Sequence, residues 1–229
     1  MTESKFLFDK TIKCPGCLKE FTTKKVRTSR LRLLKRDEDF LNYYNDVNPI
    51  NYAIFVCPNC GYASSESKFE NISKEGINII KNNISSKWVK RNFGEVRSTE
   101  NAIEIYKLAL LQGTMLGYTN LELGNICLNL GWLFRIKEDE DEEIRFLRLA
   151  RDKFIKAYNN ESLSGSNMDD AKLTYLIAEL SRRINEEEES LTWFAICLGL
   201  PGIKMNPALD NMAREQWRLT KDAVKVQYN

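Results

Sequence analysis

The chain has 229 residues, enough for one large domain or two modest ones. Hydrophobic residues make up 43% and charged residues 29%, an ordinary composition for a soluble globular protein. The absence of histidine excludes histidine-based acid–base catalysis, triads that need histidine and metal sites with imidazole ligands. Any bound metal must therefore be held by cysteine or carboxylate.

The N-terminal part of the chain is strongly basic, although the net charge is only +2. Residues 1–36 contain eleven lysines and arginines but three acidic residues, whereas the remainder is acidic overall. Such asymmetry indicates either contact with nucleic acid or a solvated basic face. No segment is typical of a signal peptide, because the apolar run at residues 6–8 is too short. We expect a cytoplasmic protein that has no membrane partner.

Residues 11–63 show strand-like patterns. Ser29-Arg30-Leu31-Arg32-Leu33 alternates basic and apolar residues and predicts a strand, and residues 52–56 predict a second one. Residues 19–26 are predicted to be extended, and the polar residues 37–51 are predicted to form a loop.

Helical periodicity replaces the strand pattern from about residue 73 onward. Ile77, Ile80, Ile84 and Trp88 mark one apolar face. The apolar stretch 108–134 is interrupted by polar residues and predicts two buried helices joined by a turn. Predicted helix starts are Ser98 or Thr99, a capping box at Ser166 and Asp169, and Asn206-Pro207.

A small–aromatic–small pattern recurs three times in the helical part, and it resembles the second helix of a tetratricopeptide repeat. The three sets are Ala102, Tyr106 and Ala109; Ala150, Phe154 and Ala157; and Ser190, Phe194 and Cys197. The fold class expected is α+β: a small β zinc-ribbon-like domain at residues 1–66, then an all-α tetratricopeptide-like helical repeat array at residues 67–229.

Four cysteines form two CPxC turns, Cys14-Pro15-Gly16-Cys17 and Cys57-Pro58-Asn59-Cys60. A two-residue spacer lets both thiolates of a turn reach one metal ion, and two turns make a tetrahedral four-cysteine site. Gly61 permits the positive φ that closes such a turn, whereas Leu18 occupies the equivalent position in the first turn and makes its closure less favourable. We predict one structural Zn²⁺ at Cys14, Cys17, Cys57 and Cys60, with iron as the alternative ion.

With these motifs assembled, the chain resembles the bacterial domain-of-unknown-function family 2225. The resemblance covers nearly the whole chain and rests on short motifs spread across its first 63 residues. They are Cys14-Pro15-x-Cys17, Phe21, Lys25-Val26, Ser29-x-Leu31-Arg32, Arg36-Asp37-x-Asp39-Phe40, Tyr44, Asn48-Pro49, Tyr52 and Cys57-Pro58-x-Cys60-Gly61-Tyr62-Ala63. The resemblance implies a tetratricopeptide-like helical region after the cysteine domain, and it implies no particular function.

The function expected first is a non-enzymatic interaction or scaffold protein whose helical groove binds a protein or peptide. The alternative is nucleic-acid binding by the basic face of the ribbon, with Phe21, Tyr43 or Tyr44 available to stack on bases. The candidate contacts to phosphates are Lys24, Lys25, Arg27, Arg30, Arg32, Lys35 and Arg36.

An enzyme is the third hypothesis. Asp37 and Asp39 would lie on the same face of an extended segment and could hold a divalent cation. Their alternative roles are loop caps or partners of arginine. The sequence contains no glycine-rich phosphate loop and no nucleophile motif, so it predicts no catalytic residues.

Overall fold

A computed structural model describes residues 5–164 and 168–227. Within these ranges, six strands precede eight α-helices in the chain. The strands are β1 Leu7–Lys13, β2 Glu20–Val26, β3 Leu33–Arg36, β4 Asn42–Tyr44, β5 Ile54–Val56 and β6 Ala63–Ser65. The helices are α1 Glu66–Phe69, α2 Lys74–Asn83, α3 Thr99–Met115, α4 Asn120–Ile136, α5 Glu140–Asn160, α6 Asp170–Arg183, α7 Glu187–Gly199 and α8 Pro207–Gln227.

The predicted α+β class is confirmed: antiparallel hairpins precede a region in which every described residue after 73 is helical or irregular. The chain divides into two compact units. The first comprises Met1–Arg36, Asn42–Tyr118 and Trp132–Glu138, and the second comprises Asp37–Leu41, Thr119–Gly131 and Asp139–Asn229. The domain boundary predicted after residue 66 follows the change in periodicity and stays a prediction.

Two-stranded antiparallel hairpins form the sheet structure of the first unit. The β1–β2 hairpin pairs all seven residues of each strand, from Leu7 with Val26 to Lys13 with Glu20. β5 pairs with β6 directly on either side of the second cysteine pair. The predicted extended conformation of residues 19–26 is confirmed by β2.

The strand predicted at residues 29–33 is wrong. A 3-10 helix occupies Thr28–Arg30, and β3 begins only at Leu33. Of the two alternating leucines, Leu31 packs against the cluster of Leu7, Val26 and Tyr52, whereas Leu33 is 51% exposed, so the alternation does not mark one continuous buried face. Similarly, the predicted strand at 52–56 shortens to β5, because Tyr52 ends a 3-10 helix at Pro49–Tyr52. The predicted loop at 37–51 contains β4.

The helices of the first unit begin at recognisable caps. The Ser73 side chain accepts a hydrogen bond from the Gly76 N–H, and Ser98 forms a reciprocal capping box with Asn101. Ile80 and Ile84 are buried as predicted, but α2 ends at Asn83 and Trp88 lies beyond it. The predicted break within 108–134 falls between α3 and α4, where Gly117 has a φ of 69°.

In the second unit, α5, α6, α7 and α8 each contact the next helix along the chain. Asp169 caps α6, whereas Ser166 of the predicted capping box lies outside the described residues. The Asn206 side chain accepts a hydrogen bond from the Leu209 N–H at the start of α8, as predicted. Two glycines of α4, Gly124 and Gly131, allow close packing on α5. A Cβ on Gly124 would lie 2.6 Å from the Phe154 ring, and a Cβ on Gly131 would lie 2.5 Å from the Leu147 side chain.

All nine residues of the small–aromatic–small pattern are buried in their respective units. The pattern therefore marks the packed faces of α3, α5 and α7.

Candidate metal centre

Four cysteine sulfurs meet at one point in the first unit. The Sγ atoms of Cys14, Cys17, Cys57 and Cys60 all lie within 4.8 Å of one another. The distances across the two turns are 3.6 Å from Cys14 to Cys60 and 3.6 Å from Cys17 to Cys57. Four sulfurs bound at ~2.3 Å to one tetrahedral zinc would lie about 3.8 Å apart. The donor set and its spacing therefore fit a single tetrahedral metal ion.

The two cysteine turns have the same backbone geometry. In the first, the Leu18 N–H donates to the Cys14 carbonyl oxygen at 2.8 Å, and the Cys14 N–H donates to the Lys19 carbonyl oxygen at 2.9 Å. In the second, Gly61 donates to Cys57 at 2.9 Å and Cys57 donates to Tyr62 at 2.8 Å. The backbone amides of Asn59 and Cys60 also help to lower the pKa of the Cys57 thiol.

Positive φ angles close both turns, at Leu18 with 62° and at Gly61 with 75°. Leu18 adopts this conformation although its Cβ makes it unfavourable, and its side chain is 68% exposed. The two turns thus have the same hydrogen-bonded geometry. The less favourable closure predicted for the first turn is an energetic cost at Leu18 and not a different conformation.

The second turn is held by side chains from distant parts of the first unit. The Trp88 Nε1 donates to the Pro58 carbonyl oxygen at 3.0 Å, and the Ser85 hydroxyl donates to the Cys60 carbonyl oxygen at 2.9 Å. Gln112 on α3 donates from Nε2 to the Gly61 carbonyl oxygen at 2.8 Å. Its Oε1 accepts from the Ala63 N–H at 2.9 Å.

Gln112 therefore satisfies two backbone groups in the way a neighbouring strand would, and it is fully buried. Sequence reasoning missed this residue and Trp88 as supports of the site. No local pattern identifies them, because Gln112 is 49 residues from Ala63 in the chain.

The cysteines are part of a hydrophobic core. Cys14, Cys57 and Cys60 are buried together with Phe21, Phe55, Tyr62 and Phe69, and the rings of the other three surround Phe69. Cys17 is partly buried. A metal bound here would have four protein ligands and no coordination position for substrate, which is the arrangement of a structural site.

The thiols of this cluster affect one another's protonation. Hydrogen bonds from Cys14 and then Cys60 lower the pKa of the Cys57 thiol, whereas hydrogen bonding to Cys14 and Cys57 raises the pKa of Cys60. The cluster therefore titrates as a coupled group. A metal ion must displace its remaining protons, so metal binding weakens as the pH falls.

The basic residues predicted to contact nucleic acid lie on several secondary-structure elements, including β2, a 3-10 helix and β3. Lys24 pairs with Asp9 and Lys25 pairs with Glu66, both at 2.7 Å. Arg27 lies over the Phe8 ring, and Arg30 donates to the Lys5 carbonyl oxygen at 3.0 Å. Lys35 lies over the Tyr43 ring. Arg32, Lys35 and Arg36 are exposed.

The prediction that Phe21 is available for stacking on bases is wrong. Phe21 is buried against Phe69, at 5.8 Å between ring centroids. The period-2 alternation of β2 directs this ring to the core.

Of the two carboxylates considered for a divalent cation, that of Asp39 takes the structural roles considered as alternatives. Asp39 is fully buried and lies 3.7 Å from the guanidinium of Arg183. Its Oδ1 accepts a hydrogen bond of 3.5 Å from the Leu41 N–H. Asp39 is thus a loop cap and an arginine partner.

Cys127 and Cys197 lie outside the cluster and are buried on helices, as predicted for core cysteines. Burial raises the pKa of the Cys127 thiol to about 11, so this thiol is protonated at neutral pH.

The fold and the cysteine cluster define a class of protein in which β-hairpins carry four cysteines that could hold a metal ion and helices follow. The chain belongs to the family described as "Uncharacterized protein conserved in bacteria (DUF2225)", whose model matches residues 7–220. It is also similar to a protein of Borreliella burgdorferi described as "Uncharacterized protein", with 27% identity over 183 residues. The match covers 69% of this chain and 63% of that protein.

The chain therefore spans less than two thirds of the length of the curated relative that it matches. No solved structure matches it. Within residues 5–164 and 168–227, no helix is both long enough and apolar enough to cross a membrane.

Proposed function

We propose that this protein is a zinc-binding interaction protein without catalytic activity. One Zn²⁺ on Cys14, Cys17, Cys57 and Cys60 stabilises the hairpins of the first unit, and the helices offer a surface to a protein or peptide partner. The observation that supports this proposal most is the cluster of four cysteine sulfurs, three of them on buried residues, because four protein ligands leave the metal a structural role.

The short secondary structure around the cluster supports a stabilising role for the metal. β5 and β6 have three residues each, and short hairpins of this kind are marginal in water. Structural zinc contributes about 10–16 kcal/mol to the folding of small domains at neutral pH. A bound ion would cross-link the two cysteine turns.

Metal analysis of the purified full-length chain tests the zinc proposal. We expect one zinc per chain and no iron, and we expect Cys57→Ser with Cys60→Ser to lose the metal and the cooperative unfolding of the first unit. The matched control is Cys127→Ala with Cys197→Ala, which alters the two cysteines outside the cluster and should retain one zinc. Metal retained by the first double variant, or absent from the wild type, would contradict the proposal.

The interaction role is supported by the packing of the helices. The small–aromatic–small faces are buried, those of α5 and α7 in helices that contact α6, and exposed apolar residues such as Leu149 and Leu219 on α5 and α8 remain for a partner, as on the free faces of tetratricopeptide repeats. The absence of histidine and the lack of a predicted nucleophile support a non-enzymatic role.

Photo-crosslinking at three exposed leucines tests where the partner binds. Leu149 on α5 and Leu219 on α8 are 39% and 44% exposed, and Leu33 on β3 is 51% exposed. A crosslinking amino acid at each position should trap a partner from the helical positions in the host bacterium. Crosslinks from Leu33 alone would contradict binding by the helices.

Nucleic-acid binding is a second candidate, favoured by the exposed Arg32, Lys35 and Arg36 on and beside β3. Filter binding of RNA and DNA at two salt concentrations tests it, because phosphate contacts weaken steeply as salt increases. The triple change of these residues to glutamine should abolish retention. Absence of retention by the wild type at low salt would eliminate this candidate.

A further inference from the structure

A five-residue segment of the second unit, Asp37–Leu41, lies on α6 although it follows β3 directly in the chain. The Tyr175 hydroxyl donates to the backbone carbonyl oxygen of Glu38 at 2.9 Å. The rings of Phe40 and Tyr175 lie 5.4 Å apart. Asp39 and Leu41 are almost completely buried. This segment is 137 residues distant from the tyrosine that it contacts.

Electrostatic contacts hold the same segment. The Arg183 guanidinium lies 3.2 Å from the Glu38 carboxylate and 3.7 Å from the Asp39 carboxylate. Arg183 and Arg182 both donate to Glu179, which is fully buried. These α6 residues therefore carry two guanidinium groups against one carboxylate, and the carboxylates of Glu38 and Asp39 both lie against Arg183.

Tyr175, Glu179 and Arg183 follow one another at intervals of four residues, so they form one stripe along α6. The stripe contacts a backbone carbonyl, an aromatic ring and two carboxylates of the segment. None of these contacts depends on the covalent connection of the segment to β3 and β4. Phe40 has a φ of 75°, an unfavourable conformation for a residue with a Cβ.

We propose that this stripe of α6 is a recognition site for an acidic segment of a partner protein in which an aromatic and an aliphatic residue follow the carboxylates. Asp37–Leu41 is the ligand that the chain supplies to its own site. The inference rests on the proposed interaction function and names the chemistry of the partner. A partner segment competes with Asp37–Leu41 for Tyr175 and Arg183.

A fluorescent peptide with the sequence of residues 35–43 tests this site by anisotropy. The tethered segment competes at a millimolar effective concentration, so we expect weak binding to the wild type. The full-length variant with Asp39→Ala and Phe40→Ala should bind the peptide at least tenfold more tightly. Adding Arg183→Ala to that variant should remove the gain, whereas the exposed control Arg218→Ala on α8 should not.

Three outcomes would overturn the proposal. The first is a correctly helical Asp39→Ala, Phe40→Ala variant that binds no more tightly than the wild type. The second is equal binding of a control peptide in which the aspartate and phenylalanine equivalent to Asp39 and Phe40 are alanine. The third is a dimer in solution that exchanges the segment between two copies. Phe40→Ala alone replaces the double variant if that variant does not fold.

The outcomes for this site and for the interaction role are separable. Crosslinks from Leu149 and Leu219 without peptide binding would refute the acidic-segment site and leave the interaction role in place. Absence of both would refute both.

Discussion

The indole ring of Trp88 packs directly against Gly61, the residue that closes the second cysteine turn. A Cβ on Gly61 would lie 2.4 Å from Cε3 of that ring, and the Gly61 backbone has a φ of 75°. The ring sterically excludes a Cβ at this position, and the backbone conformation favours glycine. The same ring donates a hydrogen bond to Pro58 within the turn. The packing of Trp88 is thereby coupled to the geometry of Cys57 and Cys60.

Gly61→Ala should consequently destabilise the first unit. We expect the free energy of unfolding to fall by about 3 kcal/mol, from strain and displacement of the ring. Urea unfolding followed by tryptophan fluorescence measures the change. The matched control is Gly202→Ala, since no atom lies within 4 Å of a Cβ at that position. Equal effects of the two substitutions would show that Trp88 does not constrain the turn.

Leu18→Gly should have the opposite effect at the first turn. The left-handed conformation costs a residue with a Cβ about 1–2 kcal/mol, and glycine would remove this cost. Part of the resulting gain in stability is offset by the greater chain entropy of glycine in the unfolded state. We expect a net increase in stability of about 0.5–1 kcal/mol, measured by urea unfolding of the zinc-loaded chain. The leucine side chain is largely exposed, so little packing is lost. A decrease in stability would mean that Leu18 contributes contacts that outweigh its strain.

Gln112→Met should destabilise the protein although methionine has a similar length. The substitution leaves the Gly61 carbonyl and the Ala63 N–H buried without their side-chain partner. We expect a loss of about 2–4 kcal/mol in the free energy of unfolding, since each unsatisfied buried group costs roughly 1–3 kcal/mol. Asn160→Ala is the control, because its amide makes an exposed hydrogen bond to Lys156. A loss no larger than that of the control would show that water replaces Gln112.

Glu66 should contribute stability that depends on pH. Hydrogen bonds from Lys10 and then Lys25 lower the pKa of Glu66, so its contribution is present above the unfolded pKa and is lost as the pH falls through the folded value. We expect Glu66→Gln to be less stable than the wild type by about 0.5 kcal/mol at pH 7, a small value because the side chain is 40% exposed.

The difference between wild type and Glu66→Gln should shrink toward zero below the ordinary pKa of 4.5. Chemical unfolding at a series of pH values measures it, and taking the difference removes effects common to both proteins, including metal loss. A difference that grows as the pH falls would contradict the assignment.

Local sequence patterns predicted much of this fold. The CPxC spacing located both cysteine turns, and Ser98 and Asn206 marked helix starts that the structure confirms. These features depend on residues a few positions apart, where backbone geometry alone decides which groups meet. The prediction at residues 29–33 failed because alternation indicates a strand only where one face is buried.

By itself the sequence determined the candidate metal ligands, the change from strands to helices and the family to which the chain belongs. Only the tertiary structure decided that Gln112 completes the second turn, that Trp88 covers Gly61 and that Asp37–Leu41 lies on α6. These contacts join residues 27 to 145 positions apart. Side-chain type and spacing determine local geometry, whereas distant partners are selected by the packing of the whole unit, and no short pattern records that selection.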